Sequence, residues 1–205
     1  MAKVGAPEAL IVNNKRLDGR GLEEFRPIKA EAGVLKNATG SGIFEFGSTK
    51  ALAGVFGPRA MFPRFLQNPE KATLRCKYMM APFATKERSR PGPTRRSREI
   101  SKVTNEAFAQ VIFFDEFPRA VVDVFIEILQ ADASTRCAGI NAASLALADA
   151  GVPMRDLIVS CSVGKIDNKI VLDVSGVEDN YGEVDFALSA IGKTGKFVHL
   201  QMDGI

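Results

Sequence analysis

Apolar residues alternate with polar ones in short runs along most of this chain, and they fall at helical spacing in one stretch. Ile28 to Val34 reads as a strand. Gly42 to Phe46 and Lys50 to Phe56 flank Gly47-Ser48, a hairpin signal, and Gly57-Pro58 is expected to stop the second strand. Thr73 to Met80 and the Val-, Ile- and Phe-rich Arg119 to Gln130 are two further strands. Between the hairpin and Thr73, Met61 to Glu70 is a loop holding Arg64. Ile100, Val103, Ala107, Phe108 and Val111 recur with the period of a helix, predicting one from Ser97 to about Phe113. Thr135 to Ala150 is a second helix, ended by Gly151 with Pro153 beyond; its many alanines imply close packing on several sides. Strands return in the last third: Asp156 to Val163 and Lys169 to Val174 around Asp167-Asn168, then Val184 to Ile191 and Lys196 to Met202 around Lys193-Thr194-Gly195. Residues 1–17 are polar and weakly periodic, and are expected to form an arm.

The implied class is α+β, with hairpins and two main helices. At 205 residues the chain can bury a good core, and 46% hydrophobic with 25% charged residues is ordinary for a globular protein. No apolar stretch approaches the roughly 20 residues that span a bilayer. Met1-Ala2-Lys3-Val4 lacks the basic start and apolar stretch of a secretory signal. Cys76, Cys137 and Cys161 are odd in number and widely spaced, which argues against a disulfide framework or zinc knuckle and fits a reducing cytoplasm. His199 is the sole histidine and lies in an expected strand, a poor start for a metal site.

Charge changes the picture locally. The net charge is only +3, yet six cations and two acids crowd between Lys86 and Glu99. Such a run is usually a solvated loop, but Ser89-Arg90-Pro91-Gly92-Pro93-Thr94 describes an ordered turn, and an ordered turn bearing arginines can grip phosphates. Asp132-Ala133-Ser134-Thr135-Arg136 opens the second helix. Ser134 and Thr135 suit a helix cap, while an uncapped start is an anion site; both readings stand. Arg136 in the first turn opposes the helix dipole, a penalty that a bound phosphate would reverse. Farther on, Glu178 to Asp185 is either a solvated acidic loop turned by Gly182 or a pair, Asp179 and Asp185, facing one cleft for proton transfer or a divalent cation. Gly40-Ser41-Gly42 lacks the lysine and spacing of a P-loop.

In this order the segments resemble the RNase PH family, most closely the catalytic RNase PH-type subunits of archaeal exosomes. The resemblance rests on Arg16-Leu17-Asp18-Gly19-Arg20 with Arg26-Pro27, on Gly40-Ser41 with Phe46-Gly47-Ser48-Thr49-Lys50 and Gly57-Pro58, and on Arg88-Ser89-Arg90-Pro91-Gly92-Pro93 with Arg95 to Ile100. It continues through Leu129-Gln130-Ala131-Asp132, Ala150 to Asp156 and Gln201-Met202-Asp203-Gly204. It implies a fold like domain 2 of ribosomal protein S5, with two βαβ-type halves at 18–152 and 153–205. It also implies phosphorolytic 3′-to-5′ degradation of single-stranded RNA that releases nucleoside diphosphates, in a hexameric trimer of dimers. The implied companions are an inactive homologous subunit and RNA-binding cap proteins. A non-catalytic RNA-binding ring subunit and a stand-alone tRNA-trimming RNase PH are the alternatives.

The resemblance also implies roles. Arg96 and Arg136 would hold inorganic phosphate, the co-substrate, helped by Ser134 and Thr135. Asp179 would be the general acid or a metal-linked acid and Asp185 its partner, with Mg2+ or Mn2+ as the candidate metal. Arg95 and Arg88 would hold RNA, and Arg64 would line the ring channel. Three departures are visible. Ser134 stands where the family usually has glycine, and Phe65 where archaeal relatives usually have histidine. The sequence ends at Ile205, before the C-terminal helix expected after Met202-Asp203-Gly204.

Overall fold

The computed structural model describes residues 9–204. The first eight residues of the expected arm lie outside them. Residues 9–17 do not behave as a polar arm: β1 (Ile11–Val12) and β2 (Lys15–Arg16) form a small hairpin with Leu10 and Arg16 buried. Two buried anchors tie down a stretch too short to show a period.

Beyond that hairpin, two larger sheets pack against the helices. The first is built from β3 (Ile28–Ala32), β4 (Gly40–Phe46), β5 (Thr49–Ala60), β6 (Thr73–Met80) and β7 (Ala120–Gln130), in the order β3-β4-β5-β7-β6. The β4–β5 hairpin closes at Phe46↔Thr49, as the Gly47-Ser48 signal predicts. β6 and β7 are parallel and joined through α1 (Arg95–Phe108), a βαβ unit. The second sheet, in the order β11-β10-β8-β9, contains β8 (Ile158–Ile166), β9 (Lys169–Leu172), β10 (Val184–Ile191) and β11 (Phe197–Gly204). β9 and β10 both run antiparallel to β8, so they are parallel to each other, and a six-residue helix α3 (Gly176–Tyr181) connects them. Each half thus contains a βαβ element, the second split by β8. Among the described residues no helix is long and apolar enough to cross a membrane.

The central element is α2 (Thr135–Asp149), which packs on β4, β5 and β7 of one sheet and on β8 and β10 of the other. It is buried all round, as its alanines imply. Close approach needs glycine on β4: a Cβ on Gly40 would come 2.2 Å from the Ala150 nitrogen, and one on Gly42 2.8 Å from the Ala142 carbonyl oxygen. The Gly40-Ser41-Gly42 run is therefore a packing device. On the other side, Asn141 donates to the Ser160 carbonyl at 2.9 Å and accepts from the Ser160 amide at 2.7 Å, pinning α2 to β8.

Three further expectations are corrected. Gly57-Pro58 does not end β5. The strand continues to Ala60 across a register shift between Phe56 and Arg59, because a bulge accommodates a proline that has no N–H to give the ladder. Gly57 is required there: its φ is +122°, and a Cβ would lie 2.5 Å from the Val121 carbonyl oxygen. The first helix stops at Phe108; Val111 and Ile112 are buried in the tight turns that follow. The acidic stretch is not a loop throughout, since Gly176–Tyr181 is helical.

Candidate active site

The start of α2 is uncapped. Ser134 sits at the cap position in the left-handed region (φ 53°, ψ 21°) and its side chain caps nothing, so the cap reading fails. Its hydroxyl turns to the protein instead, 2.7 Å from the Ser162 hydroxyl and 3.0 Å from the Val174 carbonyl oxygen that it can donate to, while accepting from Arg26 Nη2 at 3.1 Å. The serine therefore does not crowd the helix start. Its hydroxyl is engaged, leaving the first-turn amides to attract an anion.

A cleft of about 620 Å3 opens at this helix start, lined by Arg96, Ser134, Thr135, Arg136, Asp179 and Asp185. Four elements deliver them. Arg96 lies in the first turn of α1, whose Thr94–Ser97 capping box fixes the helix origin. Arg136 comes from α2, Asp179 from α3 and Asp185 from β10. Lys86 and Gln201 also line the cleft. Lys86 was visible in the basic run, and Gln201 in the Gln201-Met202-Asp203-Gly204 motif. Arg64, Arg88 and Arg95 are exposed and do not line it: Arg64 is on a one-turn helix at Arg64–Leu66, Arg88 in the loop before α1, and Arg95 at its first residue. Phe62 and Phe65 flank Arg64 and are more than three-quarters exposed.

The electrostatics of the cleft are uneven. Burial, reinforced by the nearby Asp179 charge, pushes Asp185 up to about 6 against the pull of Arg96 and Arg136. Arg136 is itself paired: Nη1 and Nη2 donate to the two carboxylate oxygens of Glu99 at 2.9 and 3.1 Å. Those hydrogen bonds hold the Glu99 carboxyl below its usual range. Burial and Arg136 hold His199 below the usual histidine range, consistent with a neutral ring rather than a charged partner. Among the described residues no cluster of three or more His, Cys, Asp or Glu side chains could cage a metal. Asp179 and Asp185 are nevertheless hard oxygen donors that line the same cleft close enough to feel each other's charge, the kind of set Mg2+ or Mn2+ takes when substrate phosphates complete its shell.

Beside the cleft lies a second cluster of the same chemistry. Arg16 donates to Glu178 through Nε at 2.7 Å and through Nη2, and to the Leu172 and Asp173 carbonyl oxygens. Arg26 donates to both Asp173 carboxylate oxygens and, at 2.6 Å, to the Asp132 carbonyl. Arg20 reaches Asp18 and Asp173. Glu178 is also the third residue of the α3 capping box begun by Ser175. This network fixes α3 and the 132–134 turn, and so the residues that face the cleft.

Comparison with known proteins identifies the family. Residues 24–153 match domain 1 of the 3′ exoribonuclease family, RNase PH, and residues 156–205 match domain 2. The chain is 55% identical to the exosome complex component Rrp41 of Thermococcus kodakarensis over 204 residues, 98% of this chain and 82% of that protein. It is 54% identical to the Rrp41 of Methanopyrus kandleri over 199 residues, 97% and 83% of the two chains. Among solved structures, the Archaeoglobus fulgidus exosome with RNA bound to the active site superposes with a TM-score of 0.79 at 25% identity, over 94% of this chain and 83% of that one. Rice Rrp46 gives 0.83 at 22% identity, covering 93% and 86%, which speaks for the fold. The chain belongs to the RNase PH family of 3′ exoribonucleases.

Proposed function

We propose that this protein is the catalytic subunit of an archaeal exosome, shortening single-stranded RNA from its 3′ end with inorganic phosphate and releasing nucleoside diphosphates. The observation that carries this is the convergence of Arg96, Arg136, Asp179 and Asp185, from four elements, on one cleft at an uncapped helix start. Phosphorolysis must bring one anion in line with another. Two guanidiniums and a helix start offset that repulsion and orient the nucleophile, and phosphoryl transfer asks for little beyond positioning and charge neutralisation. As the phosphorus–3′-oxygen bond breaks, the leaving oxygen takes a proton from the Asp179–Asp185 pair. Asp185, raised to about 6, keeps a proton further up the pH scale than an ordinary aspartate. A divalent cation held by Asp179 and Asp185 would supply further charge neutralisation at the phosphates.

Exposed Arg64, Arg88 and Arg95 would contact the RNA backbone outside the cleft, which gives salt dependence without base readout. We place the protein in the cytoplasm, in a ring with an inactive homologous subunit beneath RNA-binding cap proteins, and divide the chain at 18–152 and 153–205. A non-catalytic ring subunit has no need of both the arginine pair and the carboxylate pair in one cleft. The deciding experiment incubates the assembled complex with single-stranded RNA, with and without phosphate. Nucleoside diphosphates that appear only with phosphate are expected. Monophosphates, or no shortening, would overturn the reading.

A further inference from the structure

Glu99 stands three residues after Arg96 on α1, so the two share a helix face. Yet Glu99 is turned to another helix. Both its carboxylate oxygens accept from Arg136 of α2, in the two-pronged geometry that fixes a guanidinium plane. Arg96 and Arg136 line the cleft and Glu99 does not, so it grips Arg136 from outside the cavity wall. The Arg136 side chain is 10% exposed and that of Glu99 41%, so a nearly desolvated cation is anchored by a carboxylate that still reaches water. The pair uses one N–H on each terminal nitrogen of Arg136, and the remaining donors stay available to an anion. Without this anchor Arg136 would sit beside Arg96 and the positive end of α2 with nothing holding its plane.

We propose that Glu99 is a positioning residue for phosphorolysis, holding the Arg136 guanidinium in the orientation that receives inorganic phosphate and tying the grip of α2 to that of α1. This rests on the reading that Arg136 holds the phosphate. The alternative sign, a carboxylate that competes with phosphate for Arg136, leads to the opposite kinetic result.

The test is steady-state phosphorolysis by the assembled complex with the variants Glu99→Ala, Arg136→Ala and the double variant, varying phosphate at saturating RNA. Glu99→Ala is expected to raise the KM for phosphate about tenfold with kcat within about twofold, because orientation of a binding group is lost while the proton donors are untouched. Arg136→Ala should raise it further, and the double variant no further than Arg136→Ala alone, since a residue acting through another has nothing left to contribute. Glu99→Gln, nearly isosteric and keeping one acceptor, should fall between wild type and Glu99→Ala, and carries the test if the alanine variant does not assemble. A rise with Arg136→Ala but an unchanged or lower KM in the Glu99 variants overturns the role of Glu99 alone. An unchanged KM in Arg136→Ala overturns the placing of phosphate on Arg136, and the role of Glu99 with it.

Discussion

Two clusters of arginine and carboxylate lie side by side in this molecule, and they have opposite fates. In one, Arg16, Arg20 and Arg26 meet Asp173 and Glu178; all five residues are buried and their charges face each other or backbone carbonyls. In the other, Arg96, Arg136, Asp179 and Asp185 line one open cleft. Composition does not separate them, and the chain barely does: Glu178 and Asp179 are consecutive. The capping box turns Glu178 inward to Arg16, and one residue farther along α3 puts Asp179 at the cleft. The closed cluster is a brace whose bonds are made in the folded state. The open cluster borders a cleft that a ligand can enter, and depends on the brace for its geometry.

The largest effects should separate chemistry from support. Asp179→Ala is expected to lower phosphate-dependent RNA shortening by about 10^2 to 10^4, the range for losing a positioned acid. RNA binding, followed by fluorescence anisotropy, should be nearly unchanged. A mutant that shortens RNA at the wild-type rate would remove Asp179 from the mechanism. Arg16→Met acts on the brace. Its side chain is fully buried, and removing it leaves the buried Glu178 carboxylate only the Ser175 amide and Arg20 at 4.0 Å, so a loss of roughly 3 kcal/mol in unfolding free energy is expected in urea titrations. In the folded fraction kcat should fall as well, because α3 and its Asp179 lose an anchor, while the KM for phosphate, set by Arg96 and Arg136, stays near wild type. A loss under about 1 kcal/mol would mean that the network is not the brace described here.

The comparison also explains what the sequence could tell. Long alternating runs place the strands and the period from Ile100 to Phe108 places α1, because burial on one face leaves a regular pattern; α2, buried all round, is marked instead by its small residues and by Gly151 and Pro153. α3 was missed since six residues show no period, although Ser175 followed by Glu178 is a capping-box spacing that marks its start. The continuation of β5 past Gly57-Pro58 was hidden because a bulge reads locally as a stop. Arg96, Arg136, Asp179 and Asp185 were legible as one group through the order of motifs, and they do share one cleft. The Glu99–Arg136 pair was not legible: it joins two helices across 37 positions, and no spacing rule couples residues that far apart. Arg16, Arg20 and Arg26 were visible as motif letters, but only tertiary structure shows that they brace.

Acid should loosen the brace in a defined direction. Burial alone would raise the Glu178 carboxyl, but the hydrogen bonds from Arg16 and from the Ser175 amide outweigh it and hold the folded-state value below the ordinary one. A depressed folded pKa means that the unfolded chain binds the proton first. The contribution is therefore complete above the unfolded value of about 4.3, and drains away as pH falls below it and through the lower folded value. Unfolding midpoints measured from pH 6 downward should drop through this window, and the drop should be smaller in Glu178→Gln, which has no proton to gain there. An equal drop in both proteins would assign the acid loss to other carboxylates.

The smallest effect belongs at the outer edge of the open cluster. Arg95 is exposed at the first residue of α1, next to Arg96 but outside the cleft. A guanidinium in water that meets an RNA phosphate contributes mainly by releasing a counterion, so its loss should weaken every sequence alike. Arg95→Ala is expected to reduce RNA affinity by a few-fold at low salt and to flatten the slope of log affinity against log salt by about 0.7, the single-strand value for one phosphate contact. The KM for phosphate should not move, since Arg96 and Arg136 keep the site. A raised phosphate KM in Arg95→Ala would extend the phosphate grip beyond the cleft, and would erase the boundary between residues that hold the nucleophile and residues that hold the RNA.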